Sequence, residues 1–151
     1  MEPIKPERRQ QLLESFQQSK MMRLFQAEVS EIGIGHFEIA VPKLDFMARP
    51  AGMFNGSTIS ALVDVSSGYA AASAKSEDGY FTTVELKVNF INPAFGDKLI
   101  AKAQVVKNGK VLTVVRSDVF AVEVKGKENL VATSLVTLMQ LNKKSSDKQI
   151  D

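Results

Sequence analysis

The stretch from Gly56 to Ala74 most constrains what this chain can fold into. Ile59, Leu62, Val63, Ser66, Tyr69, Ala70 and Ser73 recur at i, i+3, i+4 spacing, the helical period. Ser60, Ala61, Ser67, Gly68, Ala71 and Ala72 occupy the flanking positions with small residues. A helix that is apolar or small nearly all round is predicted to be buried. Four segments with strand character follow. Val84, Leu86, Val88 and Phe90 alternate with Glu85, Lys87 and Asn89, and Leu99 to Val105 alternates in the same way. Val111 to Val122 and Leu130 to Leu141 are longer and apolar on both faces in places. A buried helix ahead of an antiparallel meander implies an α+β domain whose sheet curls around that helix.

The remaining segments fit that plan. Pro6 to Phe25 reads as one helix, with Leu12, Leu13, Phe16, Met21, Leu24 and Phe25 at helical spacing. Gln26 to Pro42 reads as two strands joined at Gly33-Ile34-Gly35, and Leu44 to Phe54 as an irregular loop. Ser76 to Gly79 ends the buried helix. Asn108-Gly109 is a type I′ hairpin signal, and Lys125-Gly126-Lys127 separates the last two strands. Residues 1–142 are expected to form one domain and 143–151, polar and aperiodic, a flexible tail. The doubly apolar late strands imply that an outer face or edge is covered, most simply by a second copy of the chain.

Composition excludes several chemistries. There is no cysteine, so disulfides, thiolate metal sites and cysteine nucleophiles are out. One histidine, His36, is present. It follows a Gly-x-Gly turn and is read as a surface residue at a strand start, so no metal site is expected. A net charge of +2 lacks the basic stripe of a nucleic-acid binder. The charged, polar N-terminus lacks the apolar core of a secretory signal. No window reaches the length of a membrane-spanning helix. The expected address is cytoplasmic.

Between Pro50 and Ala74 lie 25 residues and one charge, Asp64. A carboxylate there is either satisfied by neighbouring hydroxyls or is a general base or nucleophile in a cleft. Asn55-Gly56-Ser57 offers an N-cap and the first free backbone N–H groups of the helix. Such donors can polarise a carbonyl. Asp64 lies nine positions beyond Asn55, about 13 Å along a helix axis. That is too far for both to act on one carbonyl from one copy. The spacing therefore points to a dimer with shared sites.

These residues carry a family resemblance. Arg49-Pro50-Ala51-Gly52-Met53-Phe54-Asn55-Gly56-Ser57, then Leu62-Val63-Asp64 and Gly68-Tyr69-Ala70-Ala71, resembles the signature of the PaaI-like acyl-CoA thioesterases, N-P-x-G-x-x-H-G-G…L-x-D…G-x-A-A. Thr83 to Ala94, Gly96-Asp97-Lys98, Val105 to Lys110, Ala132-Thr133 and Thr137 are similar to the family's later segments, so the likeness spans about Ala27 to Leu141. The resemblance implies a hotdog fold and hydrolysis of acyl-CoA thioesters, with no cofactor beyond the CoA of the substrate. It implies a catalytic carboxylate at Asp64 and a carbonyl-polarising backbone donor at Gly56. Thr83 would help place the water. Phe90, Ile91, Asn92 and Pro93, with Lys107, Asn108, Gly109, Lys110, Val111 and Leu112, would line the CoA site. Arg49, Ser57 and Glu85 would also be substrate-binding, and Lys107 and Lys110 could meet CoA phosphates as point charges.

The chain departs from the signature at three positions. Asn55 replaces the family's His, Ser57 its second Gly and Arg49 its early Asn. Asn55 can cap a helix or hydrogen-bond a carbonyl but cannot transfer a proton near neutral pH. The expected function is an acyl-CoA thioesterase, acting as a homodimer or a dimer-of-dimers tetramer. The alternative is a non-catalytic acyl-CoA or acyl-carrier binding protein. A dehydratase needs a proton-shuttling His in the pocket, and His36 lies outside the motif.

Overall fold

A computed structural model of the chain describes residues 1–75 and 79–142. The expected tail at 143–151 and most of the turn at Ser76–Gly79 lie outside the described residues. Helices α1 (Pro6–Gln18) and α2 (Lys20–Leu24) lead into strands β1 (Glu28–Gly33) and β2 (His36–Pro42). Helix α3 (Gly56–Ser73) follows, then β3 (Tyr80–Phe90), β4 (Lys98–Asn108), β5 (Leu112–Val122) and β6 (Glu128–Leu141). These strands join one antiparallel sheet in the order β1-β2-β4-β5-β6-β3. The sheet curls around α3, which is the hotdog fold.

The core explains the curl. Phe37, Ile39 and Val41 of β2, Leu99 and Ala101 of β4, Val115 and Val119 of β5, and Val136 and Leu138 of β6 are all buried. They face Ile59, Leu62, Val63, Ala70 and Ala71 of α3. Alternate strand residues point to one face, and the alanines let the helix sit close to it. Several buried hydroxyls are bonded: Ser66 Oγ meets Ser117 Oγ at 2.9 Å, and Ser134 Oγ donates to Ser117 O at 2.6 Å. Leu62 has no exposed surface. Leu62→Ala should therefore cost about 2–5 kcal/mol of unfolding free energy in denaturant titration.

Three sequence expectations are corrected. The first helix is two. Ser19 adopts an extended backbone at φ −67°, ψ 110°, and its Oγ accepts from Met22 N, so it caps a new helix. The break turns Met22 into the core and leaves Met21 and Leu24 exposed.

The β4–β5 hairpin is correct, but its turn is not type I′ at Asn108-Gly109. Neither residue has the positive φ that this turn needs. A register shift between Val105 and Lys107 keeps Asn108 paired with Thr113. Gly109 N donates to Leu112 O at 3.0 Å, which puts the tip at Lys110-Val111. Gly109 is required by crowding instead, since a Cβ there would stand 2.4 Å from the Leu112 carbonyl oxygen.

Helix α3 is not buried all round. Ser60, Ala61, Asp64, Val65, Gly68, Tyr69 and Ala72 form a half-buried stripe along it. The edge strand β3 is exposed along much of its length, with Tyr80, Val84, Leu86 and Phe90 open to solvent.

Candidate active site

Asp64 projects from the half-buried stripe of α3. Its Oδ1 accepts a hydrogen bond from Thr83 Oγ1 at 2.5 Å. A charge-assisted O–H···O⁻ bond of that length is strong and fixes the carboxylate against β3. Thr83, which the resemblance assigned to placing the water, is thus bonded to Asp64, 19 positions away. The pair opens into a cleft of about 350 Å³ between α1, α3 and the start of β3, lined also by Val65, Gly68, Tyr69, Phe81 and Leu138.

A second group of expected residues assembles at the other end of α3. Asn55 is its N-cap: the side-chain Oδ1 accepts from Thr58 N at 2.8 Å and Thr58 Oγ1 at 2.6 Å. The Asn55 amide also donates to Phe46 O at 3.0 Å, which ties the preceding loop to the helix start. Phe54 N bonds Ala94 O, and Lys43 donates to Gly52 O, so loop and strand exit are fixed together. The N–H groups of Gly56 and Ser57 occupy the first helical positions, where no intrahelical acceptor exists. A cleft of about 470 Å³ opens here, lined by Arg49, Gly56, Phe90, Ile91, Asn92 and Pro93 among others. Phe90 shields Gly56 closely: a Cβ on this glycine would stand 3.3 Å from the ring.

The hairpin residues form a third group. Asn108 Nδ2 donates to Ala74 O at 3.0 Å, and Lys75 Nζ donates to Gly109 O at 2.7 Å. Lys107, Lys110, Val111 and Leu112 therefore gather at the C-terminal end of α3. This is about 27 Å from Gly56 for an 18-residue helix. Glu85 lies exposed on β3, paired with Thr137, and Ser57 is exposed at the helix start. One copy of the chain thus brings together Asp64 with Thr83, and Gly56 with Arg49 and Phe90–Pro93. It does not bring those two groups to each other or to the hairpin.

His36 begins β2 as expected. Its Nδ1 lies 3.1 Å from Gln104 Oε1, and its Nε2 lies 3.2 Å from Glu38 and 3.4 Å from Glu31.

Tyr69 was read in the sequence only as part of the packing stripe. Its ring stacks on Phe37 at 4.9 Å and meets Phe16 edge-on at 5.4 Å. Its hydroxyl is 3.0 Å from Ser15 Oγ. Burial pushes the Tyr69 phenol up from 10.0, with the Ser15 hydrogen bond opposing, so it stays protonated at neutral pH. Nothing in local periodicity separates a pocket-lining Tyr from a packed one.

Asn55 can be tested apart from chemistry. Asn55→Ala removes the cap and should cost about 1 kcal/mol, read as a lower melting temperature. Asn55→Asp keeps an acceptor for Thr58. It places a negative charge beside the Gly56 donor and should lower kcat/KM on a thioester by roughly tenfold or more.

A curled antiparallel sheet wrapped around one helix defines the class as a hotdog protein. A thioesterase superfamily model matches residues 51–126, and the chain belongs to that superfamily of thioester hydrolases. A thioesterase family protein from Silicibacter pomeroyi is 33% identical, with a TM-score of 0.85 over 89% of this chain and 98% of its own. The E. coli PaaI protein of the phenylacetic acid degradation operon shares the fold at 18% identity and TM-score 0.77, over 89% and 94% of the two chains. A Streptococcus mutans protein bound to acetyl CoA shares it at 21% identity and TM-score 0.65, over 77% and 89%. Among the described residues no helix is long and apolar enough to cross a membrane.

Proposed function

We propose that the chain is a PaaI-like acyl-CoA thioesterase that works as a homodimer with shared sites. The observation that carries this reading is the Asp64–Thr83 pair, a carboxylate held beside an open cleft. The acetyl CoA held by the Streptococcus mutans protein of the same fold supports a CoA thioester as substrate.

The unpaired edge of β3 supports the dimer. An 11-residue edge strand carrying exposed Val84, Leu86 and Phe90 is a ready template for another strand. Antiparallel pairing of two β3 edges about a twofold near Leu86 sets Phe90 of one copy beside Thr83 of the other. Phe90 covers Gly56, and Thr83 holds Asp64. The pairing therefore unites the two half-sites that one copy keeps about 12 Å apart along α3. The half-buried stripe of α3 is covered in the same assembly.

The chemistry follows from these groups. The thioester carbonyl oxygen rests on the Gly56 N–H, where the helix N-terminus favours the negative charge of the tetrahedral intermediate. Asp64 takes a proton from water as the water oxygen attacks the carbonyl carbon, and Thr83 keeps the carboxylate in place. The C–S bond then breaks. The thiolate gains the proton, leaving free acid and CoA. Direct attack by Asp64, with an anhydride then hydrolysed by water, uses the same atoms. Lys107 and Lys110 supply point charges for CoA phosphates. Binding without turnover is the second reading, favoured by Asn55, whose amide is engaged in capping.

The deciding experiment is thiol release from a panel of acyl-CoAs, with the acyl-carrier thioesters alongside. Turnover of acyl-CoA establishes the enzyme. Tight CoA binding with no thiol release would establish the binding module instead. The expected locale is cytoplasmic, where CoA thioesters are made.

A further inference from the structure

The outer face of the β1–β2 hairpin sets two carboxylates directly opposite one another, Glu31 on β1 and Glu38 on β2. Like charges so placed destabilise a strand pair. A β-bulge creates the arrangement. Val29 pairs with Ile39, and the extra residue, Ser30, lets Glu31 pair with Glu38. Without it Glu31 would fall opposite Phe37, which has no exposed surface. Bulges re-aim side chains in this way.

His36 lies two residues before Glu38 and so on the same face of β2. Its Nε2 stands 3.2 Å from Glu38 Oε1 and 3.4 Å from Glu31 Oε2. Its Nδ1 is 3.1 Å from Oε1 of Gln104, its cross-strand neighbour on β4. An amide oxygen only accepts, so Nδ1 carries the hydrogen. Nε2 then turns a lone pair, or at most one hydrogen, toward two carboxylates. The lysine that could answer them is engaged elsewhere. Lys102 sits across from Glu38, but its Nζ pairs with Glu128 at 3.1 Å and lies over the Phe120 ring. Among the described residues neither Glu31 nor Glu38 has a lysine or arginine partner.

We propose that Glu31, His36 and Glu38 form a binding site for a divalent transition metal of the Zn²⁺ type, with Gln104 orienting the imidazole. A hydrogen on Nε2 serves one carboxylate, whereas a divalent ion serves both and offsets both charges. The three ligand atoms lie within 4.8 Å of one another. Tetrahedral ligands on bonds of about 2.0–2.2 Å stand about 3.3–3.6 Å apart, close to the spacing of Nε2 from the two oxygens. A hydrogen bond from the other ring nitrogen is what fixes a metal-binding His. Glu31 is the exposed member, so a fourth position opens toward water. An imidazole with so few oxygens suits Zn²⁺ rather than Ca²⁺ or Mg²⁺. No metal was expected from the sequence, because Glu31 reaches the cluster only through the bulge. Strand β1 is the sheet edge opposite β3, and the proposal does not rest on the thioesterase reading.

His36 is the chain's one histidine, so its ring NMR resonances report this site alone. Titrating chelator-treated, tag-free protein with Zn²⁺ should shift the Nε2 signal, leave Nδ1 protonated and give a calorimetric isotherm of one ion per chain. Zn²⁺ should also raise the melting temperature, increasingly with its concentration. Gln104→Leu should weaken binding by roughly tenfold, as loss of an outer-shell partner does. His36→Gln and Glu38→Gln should each weaken it at least as much and abolish the Zn²⁺-dependent melting shift. Glu38→Gln also removes the facing like charge, so without metal it should melt near the parental temperature. Loss of binding in a variant that melts as the parent does supports the site. Ring resonances that Zn²⁺ leaves unmoved would overturn it. So would binding at parental strength in either His36→Gln or Glu38→Gln, which would place the ion elsewhere.

Discussion

Asp64→Asn is expected to lower kcat/KM on the best acyl-CoA by roughly 10²–10⁴-fold, the range that a positioned general base contributes. The substitution is nearly isosteric. The amide that replaces the carboxylate retains a side-chain oxygen to accept the Thr83 hydroxyl, so the contact between α3 and β3 survives. Asp64 is only half-buried, so removing its charge relieves little desolvation, and the melting temperature and oligomer mass should stay near parental. Only the proton acceptor is lost. Parental turnover from the amide variant would remove Asp64 from the mechanism and leave the Asp64–Thr83 bond as a packing feature. A variant that loses activity and also unfolds would assign Asp64 to structure instead.

Mixing two inactive variants gives the second large effect. Gly56→Pro removes the backbone N–H proposed to hold the carbonyl oxygen. Proline suits the first helical position. Asn55 before it is extended at φ −73°, ψ 153°, the conformation a residue preceding proline prefers. The exposed Phe90 ring, 3.3 Å from the Cβ position, has room to give. Loss of that donor should cost roughly 10²–10³-fold in kcat. Asp64→Asn and Gly56→Pro are then each nearly dead alone. Randomising their subunits by co-expression should restore activity to about a quarter of parental, because half the dimers are mixed and each mixed dimer has one intact site. If each site lay within one copy, every site in the mixture would carry a lesion and nothing would return. A monomer mass for an active parent would defeat the shared site equally.

Much of the fold was legible in the chain because its signals are local. Period two in Leu99–Val105 and period 3.6 in Gly56–Ser73 each report one element and a face it buries, whereas period two in Thr83–Phe90 reports the strand but sets Val84, Leu86 and Phe90 on its exposed face. The lone charge in the 25 residues from Pro50 to Ala74 marked Asp64 before any coordinate did. Sequence reading failed where a cap, a strand register or an open face overrides periodicity. Ser19 breaks a continuous helical stripe because its hydroxyl caps the next turn. The Asn108-Gly109 signal lost to a register shift two residues upstream, set by pairing with β5. The stripe that read as buried all round lies half open in one copy, since small residues permit burial without specifying what covers them.

The sequence by itself determined the order of elements, the central helix and the carboxylate and helix start proposed to carry the chemistry, since each rests on periodicity or on a residue type within one segment. Only the tertiary structure decided that Thr83 holds Asp64 and that Gly56 faces a different cleft. It alone placed the lysine hairpin about 27 Å away at the far end of α3, and Tyr69 beside Ser15 in the cleft that holds Asp64. Those relations join residues from α1, α3, β3 and the β4–β5 hairpin. They are set by how the sheet curls and registers around α3, a long-range packing outcome that no local pattern encodes.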